Sequence, residues 1–159
     1  MSHRTGFVEN LAAAGTECGR TRCQIRQPQG SRAMDQSLPS RHALIVDDEF
    51  LIALDLESSM RELGFNVCTV ASNENDAIEL AKSNRPDVVV MDVYLGGTRA
   101  GIEAARWLRE VCGVPIVFVT AYCDADTLER IHTVMPSAPV LSKPVYQETL
   151  ANAVSAVTH

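Results

Sequence analysis

Four short apolar runs in this chain each end on residues that can do chemistry. Val88-Val89-Val90-Met91 runs into Asp92, and Ala43-Leu44-Ile45-Val46 runs into Asp47-Asp48-Glu49. Pro115-Ile116-Val117-Phe118-Val119 runs into Thr120, and Pro139-Val140-Leu141-Ser142 runs into Lys143-Pro144. Continuous apolar runs rich in β-branched residues read as strands buried on both faces, as in a parallel sheet. The carboxyl ends of such strands are where open α/β sheets hold their ligands. As parallel neighbours, these strands gather three carboxylates (Asp47, Asp48 and Asp92), the Thr120 hydroxyl and the Lys143 ammonium at one edge.

Three carboxylates in one cleft repel one another. At about 4 Å, each pair costs roughly 4 kcal/mol at an effective dielectric near 20. The edge therefore calls for a cation or for raised pKa values. Oxygen donors with no His or Cys beside them favour Mg2+ over zinc. Around Asp92, a divalent cation, Lys143 and Thr120 would stabilise the oxygens of a transferring phosphoryl group. Asp92 is then the nucleophile, and the product is an aspartyl phosphate.

The elements that must position these groups alternate from Ala43 onward. Strands are expected at Ala43–Val46, Val67–Ala71, Val88–Met91, Ile116–Val119 and Val140–Leu141. Between them, helices are expected at Phe50–Leu63, Glu74–Lys82 (capped by Ser72 or Asn73) and Gly101–Val111, with a fourth from Asp124 or Asp126 to Val134. A last helix is expected at Gln147–Val157. In the first helix Ile52, Ala53, Leu56, Met60 and Leu63 share one face at helical spacing. Phe50, Leu51, Leu54 and Ser58 share another, which is unusually apolar for a solvated one. Inward positions elsewhere are Ala77, Ile78 and Ala81, then Ile102, Ala105, Trp107 and Leu108. Strand–helix alternation of this kind implies a parallel sheet covered on both faces, with right-handed crossovers.

Composition sets the outer bounds. The chain has 159 residues, enough for one domain with a real core. Residues 1–41 stand apart as a basic leader, with six arginines against three acids. They show little apolar periodicity beyond Phe7 to Ala14 and read as mostly disordered. The folded body is expected over 42–159. No run has the length of a membrane span, and the N-terminus carries no secretory pattern. Five scattered cysteines, an odd number, fit a reduced, cytoplasmic protein rather than a disulfide framework. Cys18 and Cys23 have no second Cys/His pair to complete a zinc site. A net charge of −6 disfavours nucleic-acid binding through a basic surface.

Taken together, Val46-Asp47-Asp48-Glu49, Met91-Asp92-Val93, Val119-Thr120-Ala121 and Ser142-Lys143-Pro144 resemble a response-regulator receiver domain of the CheY-like superfamily, a module of bacterial two-component signalling. The resemblance covers about residues 42–157. It implies a flavodoxin-like, doubly wound, five-stranded parallel sheet of order 2-1-3-4-5 with five helices. It also implies Mg2+ held by Asp47, Asp48, Asp92 and the backbone carbonyl of Tyr94. Thr120 and Lys143 would bind phosphoryl oxygens. The donor would be a phosphohistidine on a histidine kinase or histidine phosphotransfer domain. Lys143 is followed by one helix's length of chain, so the expectation is a single-domain regulator. It would act on a downstream protein partner by phosphorylation-gated binding, with no membrane or nucleic acid involved.

The chain departs from the family's pattern at two places. The loop Val93-Tyr94-Leu95-Gly96-Gly97-Thr98-Arg99-Ala100-Gly101 lacks the proline common there and is slightly longer. Receivers often carry an aromatic on the fifth strand, three residues before the lysine, which turns inward as the threonine moves; here that position is Val140. Tyr122, two residues after Thr120, is the candidate to take that role, so the expected switch comprises Thr120, Tyr122 and Val140. Tyr94 and Tyr122 are expected to flank the phosphoryl group and to lengthen its life by hindering water. Phe50, Leu51 and Leu54 are candidates for the kinase-docking surface. The face of helix four, strand five and helix five is the candidate for the switched surface and for a homodimer.

Two other functions use similar residues. A haloacid-dehalogenase-like phosphatase also has an Asp after a strand, Mg2+, a Thr and a Lys. It needs a second Asp two residues beyond the nucleophile, where this chain has Tyr94, and it places the nucleophile on the first strand. A pseudo-receiver would be a phosphorylation-independent interaction module, for which the acid, Thr and Lys positions need not be intact.

Overall fold

The structure is a computed structural model that describes residues 40–158. All but the end of the expected leader lies outside the described residues. Five strands and five helices alternate: β1 His42–Val46, α1 Phe50–Glu62, β2 Val67–Ala71, α2 Glu74–Asn84, β3 Val88–Asp92, α3 Ala100–Cys112, β4 Ile116–Thr120, α4 Ala125–Val134, β5 Val140–Ser142 and α5 Gln147–Val157. The strands form one sheet of order β2-β1-β3-β4-β5, all neighbours parallel, as the sequence pattern implies.

The apolar runs are continuous because each strand feeds two cores. Leu44, Val46, Val89, Met91, Ile116 and Phe118 point to one face, where Ala77 and Ala81 of α2, Ile102, Ala105 and Leu108 of α3, and Ile131 of α4 cover them. The alternate residues Ala43, Ile45, Val88, Val90, Val117 and Val119 point to the other, under Ala53, Leu56 and Met60 of α1 and Leu150, Ala153 and Val154 of α5. This is the period-two geometry of a strand buried on both sides. Burial of a Val- or Leu-sized side chain is worth about 1.5–3 kcal/mol, so the central strands are the best-anchored part of the domain.

Helix starts follow local chemistry. Asn73 caps α2 by accepting from Asp76 N at 2.9 Å, and Asp124 caps α4 by accepting from Thr127 N at 2.9 Å. α2 ends at Arg85, which takes a left-handed conformation (φ 46°) ahead of Pro86. Trp107 packs against the core from its rim, with Lys82 Nζ 4.7 Å from its ring centroid.

Three strands run one residue further than the apolar pattern alone indicates. Asp92 pairs with Val119, and Thr120 with Ser142. Asp92 and Thr120 are thus the last rungs of the ladder, held by sheet pairing, while Asp47 and Lys143 follow directly on the ends of β1 and β5. Register sets their spacing: Val46 lies opposite Met91, so Asp47 and Asp92 leave adjacent strands at the same level. The sheet changes direction between β1 and β3, which is the topological switch point of an open α/β sheet.

Candidate functional site

Asp47 and Asp92 are nearly inaccessible, at 2 % and 5 % exposure, and Thr120 is fully buried. Lys143, just past β5, reaches across to both acids. Its Nζ lies 2.8 Å from Asp92 Oδ2, to which it donates a hydrogen bond, and 2.8 Å from Asp47 Oδ2. The second approach is an ion pair without hydrogen-bond alignment, which leaves Asp47 Oδ2 a buried oxygen with no well-aligned donor. Backbone amides serve the other oxygens: Glu49 N donates to Asp47 Oδ1 at 2.9 Å and Tyr94 N to Asp92 Oδ1 at 3.2 Å. Thr120 is tied into the same edge, since its carbonyl accepts from Lys143 N at 2.9 Å and its Oγ1 from Tyr122 N at 3.1 Å.

The expected acids do not all converge. Asp48 borders the same cleft, outside the tightest group of acids, and accepts a hydrogen bond from Gly96 N at 2.9 Å. Glu49 joins the cluster instead, with Oε1 3.5 Å from Lys143 Nζ. Carboxylate oxygens of Asp47, Glu49 and Asp92 lie within 4.8 Å of one another. Glu49 was visible in sequence as the third acid of its run, but which side chain approaches Lys143 depends on how the backbone leaves β1.

The loop after Asp92 explains its unusual sequence. Leu95 and Thr98 exchange backbone hydrogen bonds at 2.9 and 3.1 Å around Gly96 and Gly97, both with positive φ. This is a two-residue hairpin turn that needs positive φ at both central positions and therefore favours Gly-Gly. Leu95 is buried in the core below it. The turn aims Gly96 N at Asp48 and so anchors one side of the site.

Tyr94 and Tyr122 stand over the cleft, their ring centroids 4.9 Å apart and tilted by 57°. With Asp48, Glu49, Asp92, Gly97 and Ala121 they line a pocket of about 210 Å3. Sequence reasoning missed the groups that hold Tyr94: Arg99 Nε donates to its hydroxyl at 2.9 Å, and Thr127 Oγ1 lies 3.4 Å from it. Val140 pairs with Phe118 and is half-buried against the core rather than free at the surface. Phe50 and Leu51 are 70 % and 77 % exposed, and Leu54 is also exposed, so the three form an apolar surface at the start of α1.

Burial raises the Asp92 carboxyl above the ordinary carboxylate range, more than its hydrogen bond and ion pair with Lys143 lower it. Burial also works against the Lys143 charge, but its close pairing with the Asp47 and Asp92 carboxylates holds its pKa above the ordinary lysine value. The ionised Asp92 is thus a standing cost to the fold. Because the folded pKa is raised, the native state holds more protons than the unfolded one, and stability falls as pH rises from about 3.9 through the folded value. Asp92→Asn keeps Lys143 paired with Asp47 and removes that cost. It is expected to stabilise the metal-free protein at pH 7, with no gain near pH 3. Urea midpoints at the two pH values decide it; a loss at pH 7 would mean that the Lys143–Asp92 pair outweighs the burial.

The donor set suits a hard divalent cation. It consists of oxygens only, includes a buried carboxylate oxygen with no aligned donor, and is compact. Receiver domains in general bind Mg2+, and these residues fit that ion.

Comparison with known proteins agrees with this geometry. Residues 43–155 match the family model of the response regulator receiver domain. The transcriptional regulatory protein PdtaR of Mycobacterium tuberculosis is 40 % identical over 96 residues, spanning 60 % of this chain and 46 % of that protein. The phyllosphere-induced regulator PhyR of Methylorubrum extorquens is 40 % identical over 80 residues, spanning 50 % of this chain and 30 % of that protein. The chain thus covers less than half the length of these curated relatives. The solved receiver domain of a modulated diguanylate cyclase from Desulfovibrio desulfuricans superposes with a TM-score of 0.67 at 35 % identity, over 74 % of this chain and 93 % of that one. Among the described residues no helix is long and apolar enough to cross a membrane. Receiver domains are signalling modules that meet kinases and downstream partners rather than enzymes with an external substrate. With its parallel sheet, its strand-end acids and its match over residues 43–155, this protein belongs to the response-regulator receiver family of two-component signalling.

Proposed function

We propose that the domain accepts a phosphoryl group from a phosphohistidine onto Asp92 and signals by phosphorylation-gated protein binding. The observation that carries this reading is Lys143 Nζ seated 2.8 Å from both Asp92, the last residue of β3, and Asp47, the first residue after β1. In the transfer an Asp92 carboxylate oxygen bonds to phosphorus, the phosphorus–nitrogen bond breaks, and the freed imidazole takes up a proton. Asp47, Asp92 and the Tyr94 carbonyl, with Asp48 or Glu49, would hold Mg2+, which supplies charge neutralisation for the phosphoryl oxygens. Lys143 then exchanges a carboxylate partner for a phosphoryl oxygen. Thr120 Oγ1, which now accepts from Tyr122 N, donates to another oxygen by rotating. That rotation costs the Tyr122 contact and is the proposed switch, with Val140 beside it on β5. The proposed partner surfaces are Phe50, Leu51 and Leu54 for the kinase or phosphotransfer domain, and the α4–β5–α5 face for a downstream protein or a second copy.

The test is intact mass after incubation with Mg2+ and a small phosphodonor. Wild type should gain one phosphoryl group, and Asp92→Asn or removal of Mg2+ should abolish the gain. A folded wild type that gains nothing from either a small donor or a phosphohistidine protein would favour the pseudo-receiver reading.

A further inference from the structure

Arg99 lies between two elements that share no backbone hydrogen bonds. It caps the start of α3, and its guanidinium points to the first turn of α4. Nε donates to Tyr94 Oη at 2.9 Å, Nη1 donates to Asp126 Oδ2 at 2.6 Å, and Nη2 lies 4.0 Å from Asp124 Oδ1. Asp124 in turn holds Thr127 through both its N–H and its hydroxyl, each at 2.9 Å, and Thr127 Oγ1 is the second neighbour of the Tyr94 hydroxyl, at 3.4 Å. Tyr94 is thus fixed at both ends. Its backbone N–H binds Asp92 Oδ1, and its hydroxyl is clasped by α3 and α4. Between those ends its ring is one wall of the pocket over Asp92, and Tyr122 leans on it.

A tyrosine with a free hydroxyl would swing about its side-chain bonds and open that wall. We infer that Arg99 is a positioning residue that holds the Tyr94 ring over Asp92 and thereby limits the access of water to the phosphorylated site. The inference rests on the phosphoryl-acceptor reading above. The reaction it restrains is hydrolysis: water adds to phosphorus, the bond from the Asp92 oxygen to phosphorus breaks, the carboxylate is restored, and phosphate leaves with the water's oxygen while a proton passes to solvent. Arg99 touches none of the reacting atoms; its effect passes through the Tyr94 hydroxyl.

Its test is a double-mutant cycle on the decay of the phosphorylated protein, followed by intact mass after the donor is removed. Arg99→Met should speed decay about three- to tenfold, the range expected from losing one hydrogen bond that fixes the ring. Tyr94→Phe, which keeps the ring but not the hydroxyl, should do the same, and the double variant should be no faster than either single one. Arg99→Lys, which can still donate to the hydroxyl, should recover part of the lifetime. Additive effects in the double variant, or no change in either single one, would overturn the assignment. Backbone hydrogen exchange in the unphosphorylated protein separates this from the functional reading. Arg99→Met should raise exchange in residues 94–99 whether or not the site takes phosphate. A chain that shows that rise but never gains a phosphoryl group keeps Arg99 as the residue that positions Tyr94 and defeats the acceptor reading instead.

Discussion

Lys143→Met is expected to cost about 3–5 kcal/mol of folding free energy at neutral pH in the absence of divalent metal. Methionine fills much of the same volume, so the loss comes from charge rather than from a cavity. Lys143 is the only ammonium among the described residues that pairs with the two buried acids, and without it Asp47 and Asp92 face each other uncompensated. The two remedies available to such a pair give the prediction its signature. Protonation is one: burial already raises the Asp92 carboxyl, loss of the lysine raises it further, and the deficit should shrink as pH falls toward about 4. A divalent cation is the other. Millimolar Mg2+ should restore more stability to the variant than it adds to wild type, by mass action on the folded state. Urea midpoints at two pH values, each with and without Mg2+, make the test. A deficit indifferent to both acid and metal would mean that Lys143 matters for packing alone.

Gly101→Ala should be nearly as damaging, for a steric reason. Gly101 sits in the first turn of α3 where that helix meets the end of β3, and its N–H donates to the Val93 carbonyl at 3.2 Å. A Cβ there would overlap the Asp92 carbonyl oxygen and stand 2.9 Å from both the Asp92 carbonyl carbon and the Val93 oxygen. Those are backbone atoms on a buried strand and cannot rotate away. A loss of about 2–3 kcal/mol is expected from overpacking of this kind. Because the obstacle is the peptide of the nucleophile itself, the rate of phosphoryl gain should fall with it. Thermal melting and the time course of mass gain check both; an unchanged midpoint with a slowed reaction would show that α3 shifts at no cost and carries Asp92 with it.

The contrast between these two residues shows what could be read from sequence. The place of Lys143 was legible because it follows from strand order and chain direction, and both follow from apolar runs alternating with helical spacing. Asp92, Asp47 and Thr120 were legible for the same reason. Gly101 was not, since close approach of a helix to a strand end leaves no trace in periodicity. The approach of Glu49 to Lys143 and the amide that a Gly-Gly turn offers to Asp48 were also out of reach, since such a dipeptide reads only as a flexible loop until its flanks are seen to pair. The clasp on Tyr94 was least accessible of all, because it needs the starts of two helices from different crossovers to meet.

β5 is three residues long, lies at the sheet edge and pairs only with β4. The two acids stand at the ends of inner strands packed from both sides, whereas the lysine hangs from this short margin. Local opening draws on the free energy of the segment that opens, and short edge segments open far below the global cost. The anionic half of the site therefore persists as long as the domain does, while its cationic half can leave and return many times within one lifetime of the fold.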